Sequence, residues 1–355
     1  MGLAVLVGTK KGLFVLEGDA ERRTWKLNGP LLTGFSVYHA IRDPRDGTLY
    51  AATNFFDGGT VHRSSDNGET WERAEELGLP EGGDLKLNAT WHVEPGGNGE
   101  LWLGGDPGVL FRSDDKGATW QGNEAILHHE TRDQWNPGAG GMCLHSINVD
   151  PNDPNRLVIG ISAAGVFRTD DGGGTWEPAN KGTSADFLPD DPDPEVGQCV
   201  HKVLVHPLDD QRIWQQNHCG TYRSDDRGTT WERLDGNGLP SDFGFALMLD
   251  PRDPDVALVI PEESAMNRVA PNNRLGVYRT RDGGSSWELL KNGLPQQAWV
   301  GVLREASAWD GRQPNGLYFG TQTGSVLASP DGGESWHEAA RWLPPVLSVE
   351  TAEWP

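Results

Sequence analysis

One eight-residue pattern, Ser/Thr-x-Asp-x-Gly-x-Thr/Ser-Trp, recurs six times along the 355-residue chain, closing at Trp71, Trp120, Trp176, Trp231, Trp287 and Trp336. Such a repeat constrains the fold more than any count of residue types, because a unit too small to bury its own apolar face must stack on copies of itself. A degenerate seventh unit runs from Gly12 to Asp19 and ends at Trp25, so the tryptophans recur about every 46 to 56 residues, a propeller-blade period. Each unit also holds an earlier apolar strand that ends in a turn residue, as at Tyr38–Pro44, Thr90–Pro95, His145–Pro151, His201–Pro207 and Phe245–Pro251. Looser copies are Val300–Glu305 and Val346–Glu350. A second strand follows each turn, for example Leu101-Trp-Leu-Gly or Leu157-Val-Ile-Gly.

The order within a unit is therefore inner strand, second strand, third strand, Asp turn and fourth strand. The chain opens on a second strand, Ala4–Gly8, and finishes on an inner strand, Val346–Thr351. Pairing the two closes a ring. The expectation is an all-β, single seven-bladed β-propeller spanning 1–355, with four-stranded blades and blade 1 built from about 1–30 plus 345–355.

Composition removes several function classes. With 30 Lys plus Arg against 52 Asp plus Glu, the net charge of −22 opposes a nucleic acid or an anionic membrane as partner. Only 3 Cys cannot build a disulfide framework and suit a reducing compartment, so a cytoplasmic location is expected. The apolar run after Met1 has no basic segment before it and reads as a strand rather than a signal peptide. No stretch approaches the ~20 apolar residues of a membrane span.

The repeats resemble the Asp-box, or BNR, units of bacterial sialidases, sortilin-type ectodomains, xyloglucan-cleaving propellers and the photosystem II assembly propeller. The resemblance covers the whole chain, and it implies the propeller fold and a glycosyl-hydrolase-like grouping. Physically, each Asp accepts hydrogen bonds from its own turn, the Gly takes positive φ and the Trp packs between blades. Asp66, Asp115, Asp171, Asp226, Asp282 and Asp331 are accordingly structural. Ser113–Gly117 does not form a calcium loop, for no bidentate Glu closes it. Sialidase chemistry is not expected, since the Arg-containing strand motif of sialidases is missing.

What the repeat shares reports the fold, and its exceptions report the function. Cys143-Leu-His145 and Cys199-Val-His201 stand in register on neighbouring inner strands, His five and Cys seven residues before Asp150 and His206. The other blades carry Tyr38, Ala89, Phe245, Val300 and Pro345 at the His position. Residues two apart on a strand share a face, and His218 and Cys219 lie in the blade 5 link that opens on the same end of the ring. His145, His201, His218, Cys143, Cys199 and Cys219 thus point to a transition-metal site for Zn, Fe or Cu; the alternative is a buried hydrogen-bonded cluster. His39 and His92 have the opposite parity and, absent a bulge, face elsewhere; this sets the chain apart from carotenoid-cleaving propellers, with their four axial histidines.

Long insertions fall on the same face, at 126–141, 180–195 and 261–274. They supply Glu130, His128 and Glu262, which with Asp106 are candidate acid–base groups over the axial pocket, and Arg132, Trp135 and Arg268, which with Asn217 of the blade 5 link are candidate substrate contacts. The expected function is a hydrolase or lyase acting on a small-molecule or glycan-like ligand in an axial pocket at blades 3–6, with metal dependence through the Cys/His cluster. The alternative is a non-enzymatic binding or assembly scaffold.

Overall fold

A computed structural model describes residues 2–79, 85–138 and 140–355. Seven antiparallel sheets follow one another along the chain, each of four strands in sequence order, and blade 3 gains a fifth, parallel strand at Glu76–Gly78. Blade 1 is the exception in order: Val346–Trp354 pairs with Gly2–Thr9, from Gly2 opposite Trp354 to Thr9 opposite Val346, and closes the ring. Among the described residues no helix is long and apolar enough to cross a membrane.

The Asp turns are built alike. In blade 2, Ser64 Oγ donates to Asp66 Oδ1 at 2.7 Å and accepts from Gly68 N at 2.8 Å, while Thr70 N donates to Asp66 Oδ1 at 2.9 Å. The same three bonds recur at Asp115, Asp171, Asp226, Asp282 and Asp331. Hydrogen bonds from Thr70 and Ser64 hold the Asp66 carboxyl down at about 2. Gly68 sits at φ 90°, and a Cβ there would lie 2.7 Å from Leu31 Cδ1 in the preceding blade. Three closing tryptophans reach the same way, Trp176 Nε1 donating to Asn123 Oδ1, Trp231 Nε1 to Ala179 O and Trp287 Nε1 to Leu234 O, each one blade back, while Trp71 and Trp120 donate to Gly68 O and Gly117 O of their own turns. Repeated interblade contacts of this kind, over apolar clusters of buried strand residues, carry the core.

The inner strands differ from the expected register. Six carry a one-residue bulge, at Tyr38, Trp91, His145, His201, Phe245 and Leu347, where the pairing to the second strand skips a residue. In blade 7, Ser307 pairs with Phe319 and Gly320 N donates to Ala306 O, which puts Glu305 in the corresponding place. The expected occupants Ala89, Val300 and Pro345 are corrected to Trp91, Glu305 and Leu347. The turns of blades 3 and 7 close at Gly96 and Asp310, not at Glu94 and Glu305, as the Gly96 N to Glu100 O and Asp310 N to Gly316 O bonds show. The bulge also reverses the parity reading. His39 and His92 follow it directly, alongside Ser146 and Lys202, and do face the axis.

Side chains from blades 2, 3, 5 and 7 meet there. His39 and His92 stack at 4.0 Å, His92 Nδ1 lies 3.2 Å from Glu305 Oε2, and Lys202 Nζ lies 2.7 Å from the same oxygen. All four are buried. Burial opposes charge on His92, yet the Glu305 carboxylate outweighs it and pushes the imidazole up to about 9. Against its own burial, Glu305 is held well below the usual carboxylate range by Lys202 and His92.

Candidate functional site

A second contact repeats at the open end of the ring. The link between second and third strands donates a backbone N–H to the entrance of its own inner strand: Ser162 to Cys143 O, His218 to Cys199 O, Glu262 to Phe243 O and Gln322 to Gly301 O. Ser162, His218, Glu262 and Gln322 therefore occupy one position in four successive blades. The entrances beneath them hold Cys143, Cys199, Phe243 and Gly301. This circle of non-identical residues is where the repeat is most broken.

Above it lies a cavity of about 380 Å³. Its outer walls are the 126–141 insertion, through Gln134, Asn136 and Gly141, and the 180–195 insertion and its end, through Phe187, Leu188 and Val196. Its axial wall comprises Ser162, Cys199, His201, His218, Phe245, Arg268 and Arg304. Among the described residues no Asp or Glu lines it. Arg304, from blade 7, spans the axis: its guanidinium stands 5.6 Å from the Trp91 ring and 5.4 Å from Phe245, and donates to Cys143 Sγ at 3.0 Å and Ser162 Oγ at 3.2 Å. Exposed Arg268 lies over Phe243 and Phe245 at 5.7 and 5.4 Å.

Burial drives the His201 imidazole well below its ordinary value, and Arg304 adds to that. His201 Nδ1 bonds Gly244 O at 2.6 Å and its ring stacks on Phe245 at 4.2 Å. Half-buried His218 is shifted the same way by burial and by Arg268, and packs edge-on to His201 at 5.3 Å. Burial pushes the Cys199 thiol up, while Arg304 and the Ala163 backbone N–H favour its thiolate. Cys199, His201 and His218 each place one ligand atom within 4.8 Å of the others.

The remaining metal candidates are otherwise engaged. Buried His145 uses both nitrogens, Nε2 toward Val200 O at 2.9 Å and Nδ1 toward Ser146 Oγ at 3.0 Å. Cys143 donates to Ser162 and accepts from Arg304. Cys219 is buried in the link, its sulfur toward the backbone of Asp186 and Phe187.

Most acid–base candidates lie away from the cavity. His128 is exposed and pairs with Glu124 at 3.1 Å one helical turn back, and Glu130 is exposed beyond it. Asp106 accepts from Met142 N at 3.0 Å and Asn88 Nδ2 at 3.2 Å, tying two loops together. Arg132 spends its guanidinium on Gly108 O and Pro107 O, over buried Trp135 at 4.6 Å, so this pair anchors the insertion. Buried Asn217 shapes its turn through Cys219 N. Glu262 remains close: a Cβ on Gly301 would meet its Oε1 at 2.5 Å and Arg268 O at 3.1 Å. Burial pushes its carboxyl up to about 7, although Val302 N donates to Oε1; Oε2 has no partner. Reading Glu305 as the turn residue puts Arg304 near the far end of its strand; the structure corrects this, since Glu305 sits at the bulge position and Arg304 reaches the cavity wall.

Sequence comparison matches residues 164–314 to the model of a family described as Sortilin, neurotensin receptor 3. The chain is 26% identical to the xyloglucanase Xgh74A of Acetivibrio thermocellus over 314 residues, which is 76% of this chain and 35% of that protein. It thus spans about a third of the length of that curated relative. Among solved structures, the GH74 xyloglucanase of Xanthomonas campestris superposes with a TM-score of 0.67 at 20% identity, covering 99% of this chain and 52% of the other. YCF48 bound to D1 peptide gives 0.57 at 19%, covering 87% and 82%. The fold is a seven-bladed β-propeller, with a sortilin-family match confined to residues 164–314 and homology to glycoside hydrolases among the curated relatives.

Proposed function

With a seven-bladed propeller as its frame, we propose that this chain binds and processes an acidic, sugar-like ligand in the axial cavity. The carrying observation is the lining: among the described residues, two guanidiniums and no carboxylate, in a chain of net charge −22. A concentrated local cation against an anionic surface selects a ligand bearing a carboxylate, for which the planar guanidinium is a fitting partner. The xyloglucanase relatives support the carbohydrate class.

Hydrolysis by two opposed carboxyl groups needs a pair flanking the bond. Glu262 is the one carboxyl named from sequence that packs beside the cavity wall, and its elevated proton affinity suits a general base near neutral pH. One base and a neutralising guanidinium are the set that elimination requires. Glu262 is buried against Gly301 and Val302 N rather than on the cavity lining, so the reaction requires its side chain to turn into the cavity. There it takes the proton next to the ligand carboxylate while the C–O bond one carbon further on breaks. A double bond forms between those carbons, and water protonates the departing oxygen. The reading is therefore a lyase-type activity, and a cytoplasmic setting is part of the proposal.

Calorimetric titration with a uronate-bearing oligosaccharide against a neutral xyloglucan oligosaccharide tests binding, and near-ultraviolet absorbance of an unsaturated product tests the reaction. The acidic ligand is expected to bind at least tenfold more tightly. Equal affinity for both would sink the proposal.

A further inference from the structure

We propose that Cys199, His201 and His218 hold a zinc(II)-type ion on the cavity wall, three protein ligands with the fourth position open to the cavity. The idea stands independently of whether the ligand is acidic. One ligand atom from each residue lies within 4.8 Å of the others, within reach of a shared tetrahedral ion once the side chains draw in around it. Imidazole with thiolate is the donor set that suits zinc, and three protein donors with an open place is the pattern of reactive rather than purely structural sites.

The surroundings orient the donors. A backbone carbonyl, Gly244 O, takes the His201 Nδ1 hydrogen bond at 2.6 Å and leaves Nε2 as the lone pair; an outer partner of this kind fixes ring and tautomer in metal-bound histidines. Phe245 stacks on His201, and Phe243 and Phe187 flank His218 at 5.1 and 5.2 Å, so neither ring is free to turn. His218 makes no side-chain hydrogen bond among the described residues, a polar group half-buried with its donor capacity unused. Arg304 and Arg268 oppose a dication, and the Cys199 thiolate offsets one charge. An anionic ligand bridging the ion and the guanidiniums would offset the rest.

A comparison within the molecule sharpens the choice. His39, His92 and Glu305 satisfy the same spacing, but Lys202 Nζ already stands 2.7 Å from Glu305. In the axial cluster a cation already bonds a would-be ligand atom; in the cavity cluster Arg304 and Arg268 stand nearby, but Arg304 bonds Cys143 and Ser162 and neither bonds a ligand atom.

Untagged protein, stripped with chelator and titrated with zinc and then cobalt(II), tests this. Near-stoichiometric uptake is expected, with a cobalt–thiolate absorption band in the near ultraviolet that reports Cys199 directly. Cys199→Ser should remove the band, and His218→Ala should weaken zinc binding by at least about a hundredfold, both at unchanged melting temperature. Cys143→Ser should keep both. No uptake by the parent, or a band that persists in Cys199→Ser, overturns the proposal. The parent spectrum decides the matter even if a variant fails to fold. Ligand titration on the stripped protein separates this outcome from that of the acidic-ligand reading.

Discussion

At the rim, six Asp turns repeat the same three hydrogen bonds with the same residue types; at the axis, the inner strands repeat the same bulge with a different residue at nearly every blade. Tyr38, Trp91, His145, His201, Phe245, Glu305 and Leu347 share a position, and Ser162, His218, Glu262 and Gln322 share another. The rim keeps residue identity where the backbone requires it. The axis keeps only the backbone path and leaves the side chain free for chemistry.

The contrast can be broken most forcefully at Glu305. Glu305→Ala strands Lys202 as a buried unpaired cation, leaves His92 only its 3.4 Å contact with Glu94, and is expected to cost about 3–5 kcal/mol in chemical denaturation. A loss no larger than that of a rim Asp would erase the distinction. Next comes Glu262, whose carboxyl burial pushes up to about 7 in the folded chain from its ordinary 4.5. Between those values the folded state binds more protons than the unfolded one, so stability falls as pH rises through that window, by about 3 kcal/mol. Melting temperature followed against pH should show this slope in the parent and lose it in Glu262→Gln; a parallel pair of curves would remove Glu262 from the site. Arg304→Ala should lower acidic-ligand affinity by roughly ten- to a hundredfold, the worth of about 1.5–3 kcal/mol for a charged hydrogen bond, as read by calorimetry. Smallest is Asp331→Ala, which loses its bonds from Ser329 and Ser335 for about 1 kcal/mol and should leave ligand affinity untouched. Weakened binding there would mean that rim and axis are coupled.

The same division explains what the sequence made legible. Six Asp turns and a tryptophan period reveal the blades because each copy needs its residues for its own hairpin. The strand entrances do not announce themselves. Whether Glu94 or Gly96 closes the blade 3 turn depends on a single bond to Glu100 O, and the bulge that brings His39 and His92 to the axis leaves no residue signature. The pairing of Cys199 and His201 with His218 was visible because cysteine and histidine are scarce; the separation of His145 and Cys143 from them was not, since it rests on hydrogen bonds to Val200, Ser146 and Ser162. Arg304 sat beside a misread strand end, and its reach across the axis is a fact of ring geometry rather than of local pattern.

The seam of blade 1 has a kinetic meaning. Gly2 opposite Trp354 joins the most distant parts of the described chain. Blades 2 to 7 each assemble from contiguous residues, with local contacts that form early, whereas the closing strand must search across the whole ring. The final pairing is thus expected to be the slowest event of folding and the first to open under load. A protease that finds the protein transiently unzipped should nick it beside this seam, long before the blades themselves come apart.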